Sequence, residues 1–98
     1  MAKKADANQA EIVEALRAVG CSVLDLHHVG HGCPDILVGR CGEDDYLIEI
    51  KAKGGGLERA QLRFAALWRG RPVQVVWDVD GALRAVGIRV TNAALEMD

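Results

Sequence analysis

The apolar spacing of this 98-residue chain predicts one α/β domain spanning residues 1–98, with element order αβββαβ and a mixed sheet flanked by helices. Two observations carry that expectation. Two segments repeat apolar residues at helical spacing: Ile12, Leu16 and Val19 in one, Leu57, Ala60, Phe64 and Trp68 in the other. Between and after them lie apolar runs of strand length, fenced by glycine, proline and acidic residues.

The first helix is expected over residues 6–19, with Asp6 or Asn8 as its cap and Gly20 as its terminator. Residues 21–26 read as a short strand. Residues 27–34 hold Gly30, Gly32 and Pro34 and read as a loop. Residues 35–40 and 45–52 are strands joined by a tight turn at 41–44, which makes an antiparallel hairpin. Gly54, Gly55 and Gly56 interrupt the chain and let backbone approach a ligand closely. The second helix is expected over 57–69, ending at Gly70. The run Val73-Gln74-Val75-Val76-Trp77 within 72–77 predicts a strand in a central, buried place. Residues 78–81 read as a turn and 82–87 as a short helix, with a strand as the rival; the tail beyond Thr91 carries no signal.

Composition narrows the classes. Half of the residues are hydrophobic and 27% are charged, which suits a folded core rather than disorder. No apolar run approaches the ~20 residues of a membrane helix, and no signal-peptide pattern opens the chain. Cys21, Cys33 and Cys41 are odd in number and form no CxxC pair, which fits free thiols in a reducing, cytoplasmic compartment. A net charge of −2 excludes a uniformly basic nucleic-acid binder. The charge is uneven, however: between residues 51 and 71 six cations face Glu58 alone, a net +5. That segment is either an anion-binding face or an ordinary solvated one.

The hairpin carries the most specific chemistry. Strand side chains alternate, so Glu49 and Lys51 share a face. Folding about residues 42–43 brings Asp35 opposite residues 49–51. Two carboxylates and an ammonium therefore converge at one end of the sheet, on a strand whose apolar residues face both ways. Close carboxylates repel unless a cation lies between them, and hard divalent cations take such oxygen ligands. The alternative is a Glu49–Lys51 pair on an edge strand with Asp35 capping a turn. Gln61 falls inside the apolar stripe of the second helix, where a buried amide needs partners. The lysine, a phosphate or the local backbone would each serve. Lys53, Arg59 and Arg63 are placed to meet phosphates or merely to be solvated. His27, His28, His31 and Cys33 invite a zinc reading, but their spacing fits no structural zinc site and no second ligand pair follows. Trp68 and Trp77 read as core or as a subunit interface.

Gly32-Cys33-Pro34-Asp35, about a dozen residues, then Glu49-Ile50-Lys51 resembles the PD-(D/E)xK nuclease motif. With Ile36-Leu37-Val38-Gly39, Ile48 and Gln61 added, the chain over roughly residues 8–78 resembles small stand-alone members of the VRR-NUC family. The resemblance implies a restriction-endonuclease-like αβββαβ core. It also implies that Asp35, Glu49 and the carbonyl of Ile50 hold a metal, Mg²⁺ with Mn²⁺ as a substitute. Lys51 would position the attacking water. Glu11, with Glu14 as the rival, would be the helix acid of the catalytic set, and Gln61 the family glutamine. Lys53, Arg59 and Arg63 would bind nucleic acid, and residues 27–33 would form a loop beside the metal. The function implied is metal-dependent, structure-selective cleavage of DNA, branched or Holliday-junction DNA included. A homodimer would act, without a membrane or a small-molecule cofactor. The competing functions are a non-catalytic nucleic-acid-binding module on the same fold and a small zinc-binding interaction protein.

Overall fold

The computed structural model describes residues 8–90. Its elements are α1 (Gln9–Ala18), β1 (Ser22–Asp25), β2 (Ile36–Gly39), β3 (Tyr46–Ile50), α2 (Arg59–Leu67), β4 (Gln74–Val76) and α3 (Val79–Ala85). The four strands form one sheet in the order β1-β2-β3-β4. The first three run antiparallel, and β4 lies parallel to β3, so the sheet is mixed. Parallel neighbours need a crossover, and α2 supplies it. This is the αβββαβ order expected, closed by α3.

The β2–β3 register pairs Ile36 with Ile48 and Val38 with Tyr46. Directly opposed residues share a face, so Ile36, Val38, Tyr46, Ile48 and Ile50 point to one side. There they join Ile12 and Leu16 of α1, Val76, and Ala82 and Val86 in a single core. Ile12, Leu16, Ile36 and Ile48 are fully buried, and truncating any of them to alanine would cost about 2–5 kcal/mol. The other side carries Leu37, Leu47, Glu49 and Lys51, and α2 reaches it through Gln61. Every residue of β3 is buried, as its two-sided apolar pattern requires.

Four expectations are corrected. Val19 follows the end of α1 and is 49% exposed, because the chain turns at Gly20 (φ 95°) before another helical turn can carry it inward. Asn8 precedes α1, but its side chain makes no cap; Asp6 lies outside the described residues. The 72–77 strand is an edge, not a centre. Its apolar run reports two covered faces, not two paired edges: Val76 enters the core while Val75 pairs with Glu49. Residues 78–81 are the start of α3 rather than a separate turn. The Asp78 carboxylate accepts from the Gly81 N–H at 2.7 Å, and an acidic N-cap uses the same residue types as a turn.

Among the described residues no helix is long and apolar enough to cross a membrane.

Candidate active site

The end of the β2–β3 hairpin gathers the charged residues. Asp35 immediately precedes β2, and the ladder continues through it: its N–H donates to Ile48 O at 3.1 Å. That register sets Asp35 opposite Glu49. The Asp35 Oδ2 accepts the Ile50 N–H at 2.7 Å, which fixes the carboxylate against the end of β3. Two residues along from Glu49, Lys51 shares its face, and Lys51 Nζ lies 3.6 Å from Glu49 Oε2. The Lys51 backbone is held from both sides. Its N–H donates to Val76 O at 2.9 Å, and its carbonyl accepts from Asn8 Nδ2 at 3.2 Å.

Gln61 completes the cluster from α2. Its Oε1 accepts the Glu58 N–H at 2.8 Å, leaving Nε2 aimed at the sheet, where it donates to Glu49 Oε2 at 3.0 Å. Sequence left three partners open for this amide. The structure chooses the local backbone for its oxygen and Glu49 for its nitrogen.

Asp35, Glu49, Lys51 and Gln61 are all buried, Glu49 at 1% exposure. Two carboxylates against one ammonium leave the cluster electronegative. The neighbouring Cys33 thiol is pushed above its ordinary pKa, by burial first and then by Glu49 and Asp35. A charge imbalance in so dry a place favours a cation. Two buried carboxylates suit a hard, oxygen-seeking cation. They do not suit zinc. Among the described residues no group of three or more His, Cys, Asp or Glu is gathered to hold a metal. The zinc reading of His27, His28, His31 and Cys33 therefore fails.

The loop over residues 27–33 walls the site instead. A cleft of about 170 Å³ is lined by His27, His31, Cys33, Asp35, Glu58 and Gln61, among others. A Cβ on Gly32 (φ 79°) would lie 2.2 Å from Ala60 O, so only glycine lets this loop press on the start of α2.

The remaining candidates lie further out. Glu11 sits in the first turn of α1 and is exposed, as is Glu14. Neither is among the buried polar residues, which are Gln9, Asp35, Glu49, Lys51 and Gln61. The helix face that reaches the sheet end instead presents Asn8, whose Nδ2 bridges Lys51 O and Trp77 O (2.9 Å), and Gln9, whose buried Oε1 has no hydrogen-bond partner among the described residues. Neutral side chains at a helix start read as caps, so neither stood out in the sequence. Lys53, Arg59 and Arg63 are exposed, and none of them lines this cleft. Trp68 and Trp77 are 46% and 44% exposed and are not core. The Trp77 indole N–H donates to Gly55 O at 2.7 Å and so anchors the glycine loop.

The architecture is restriction-endonuclease-like. A solved structure described as a VRR_NUC domain has the same fold at TM-score 0.67 and 27% sequence identity, covering 80% of this chain and 88% of that one. The resemblance read from the motif thus extends to the fold, which is VRR_NUC-like. No family model matches the chain. No curated protein sequence matches it either.

Proposed function

We propose that this chain is a divalent-metal-dependent deoxyribonuclease that hydrolyses phosphodiester bonds at the Asp35–Glu49–Lys51–Gln61 cluster. The observation that carries this reading is the burial of two carboxylates and one lysine on one sheet face, beside a cleft that Asp35 and Gln61 line, within a VRR_NUC-like fold. Lys51 pairs with Glu49, and Asp35 sets a second buried carboxylate beside them.

Asp35, Glu49 and the Ile50 carbonyl would hold Mg²⁺, or Mn²⁺ in its place. When bound, the ion supplies Lewis-acid polarisation of the phosphate and lowers the pKa of water. The Lys51 ammonium orients the attacking water and offsets negative charge as it grows on the phosphate. Gln61 keeps Glu49 in one orientation, and Asn8 keeps the Lys51 backbone in place. Lys53, Arg59 and Arg63 bind the flanking phosphates as cations. Glu11 is exposed, so a part in catalysis would run through water.

A two-stranded cut needs two such sites, which a C₂ homodimer would provide. The small footprint favours recognition of DNA shape over long sequences, with branched and four-way junctions as the substrates to try first. The test is cleavage of labelled linear, nicked, flapped and four-way DNA in Mg²⁺, Mn²⁺ or EDTA. Metal-dependent products, most abundant on branched DNA, are expected. Binding without cutting in either metal would reduce the chain to a binding module.

A further inference from the structure

A second cleft, of about 450 Å³, opens beside the candidate active site. It is lined by His31, Ala60, Arg63, Phe64, Leu67 and Trp68, and it shares His31 and Ala60 with the cleft that reaches Asp35 and Gln61. The two clefts therefore adjoin. We propose that this second cleft is a stacking subsite for one unpaired nucleobase of the DNA substrate, adjacent to the scissile phosphate. The proposal rests on the nuclease reading and names a feature its substrate must have.

Ala60, Arg63, Phe64 and Leu67 lie at helical spacing on one stripe of α2, so they form one wall. Phe64 and Trp68 are stacked, with ring centroids 5.4 Å apart and an interplanar angle of 12°. Trp68 is 46% exposed and Leu67 67% exposed, so this aromatic pair is open to a ligand rather than sealed in the core. His31, from the loop, also lines the cleft. Its backbone takes φ 57°, a left-handed conformation rare for a residue with a side chain, between Gly30 and Gly32. The clamp of Gly32 on Ala60 holds that turn against α2.

The occupant follows from shape and charge. An apolar cleft with aromatic walls suits a flat π-system, not a phosphate. Arg63 at its edge and the net +5 of residues 51–71 suit a polyanion attached to that ring. A base paired within a duplex hides its faces, so the base that enters must be unpaired or extruded. That condition is met at bulges, flaps and junctions.

The experiment measures DNA binding by the full chain carrying Lys51→Met, which prevents turnover, in Mg²⁺. Two duplexes differ at one position: a single-nucleotide bulge, and the same bulge with an abasic spacer in place of the base. The base should strengthen binding about tenfold, in the range of single base–aromatic stacks. That ratio should fall to about one in Trp68→Ala and in His31→Gly, the latter keeping the backbone that glycine accepts. Either variant alone suffices if the other fails to fold. A ratio of one with Trp68 and His31 intact would overturn the proposal, while metal-dependent cleavage of either duplex by the wild type would leave the nuclease reading standing. Absence of binding to both duplexes would overturn both. A dimer that dissociates in Trp68→Ala with the ratio unchanged would also overturn it, by giving the cleft to a second copy of the chain.

Discussion

Gln61 Nε2 donates to Glu49 Oε2 at 3.0 Å while Gln61 Oε1 accepts the Glu58 N–H at 2.8 Å. One side chain thereby couples the start of α2 to the buried carboxylate of β3, and the backbone donor decides which end of the amide faces the acid. Only an amide can do both. Gln61→Leu removes a hydrogen bond to a charged, buried group and leaves the Glu58 N–H short of a partner. The expected loss is about 1–3 kcal/mol of stability, read by urea denaturation. Gln61→Glu should not restore it, because a carboxylate beside Glu49 has no hydrogen to give. Equal midpoints for the wild type and Gln61→Leu would contradict the coupling.

Asn8 makes a comparable link from the other helix, donating to both Lys51 O and Trp77 O. Asn8→Ala frees two carbonyls at the ends of β3 and β4 and should cost about 1–2 kcal/mol. Asn8→Asp should be worse than alanine, since a carboxylate would face the carbonyl oxygens. Thermal unfolding of the three proteins checks the order.

Metal binding should appear as stability. Asp35→Asn keeps an oxygen to accept the Ile50 N–H but removes one of two crowded negative charges. Its metal-free melting temperature is therefore expected to rise. Mg²⁺ at ten times its Kd should stabilise the wild type by about 1.4 kcal/mol and Asp35→Asn hardly at all. Calorimetric scans with Mg²⁺ and with EDTA separate the two cases.

Tyr46 provides a pH-dependent readout away from the site. It is the one tyrosine in the chain, and its hydroxyl donates to Glu43 Oε1 at 2.6 Å. That hydrogen bond, followed by burial, raises the phenol above its ordinary value. A raised folded-state pKa means stability that is present below the unfolded value near pH 10 and lost as pH climbs past it. Glu43→Gln should move the phenolate absorbance change to lower pH. Titration at the wild-type midpoint would contradict the role of Glu43.

What sequence could reveal divides along physical lines. The hairpin was legible because its turn fixes the register, and the register alone sets Asp35 opposite Glu49 and beside Lys51. Gln61 was legible as a polar interruption of an apolar stripe. The position of β4 was not, because an apolar run reports covered faces and is silent on which edges are paired. Nor was the polar contact of α1. Glu11 has the right chemistry for a site, yet the helix presents the neutral Asn8 to the sheet end, and only tertiary packing fixes which of these neighbours points inward. Trp68 and Trp77 looked like core because large aromatic residues usually are. In this fold they are half exposed, Trp68 on the rim of a cleft and Trp77 against the glycine loop.

Lys51 and its two carboxylates are the proposed hydrolytic centre. The direct measurement is the single-turnover cleavage rate of branched DNA in Mg²⁺ by the wild type and by Lys51→Met, with both shown to be folded by circular dichroism. The methionine keeps the stem and removes the ammonium. A loss of about 10²-fold or more is expected, as for removal of one transition-state donor. Undiminished cleavage by Lys51→Met would contradict the assignment.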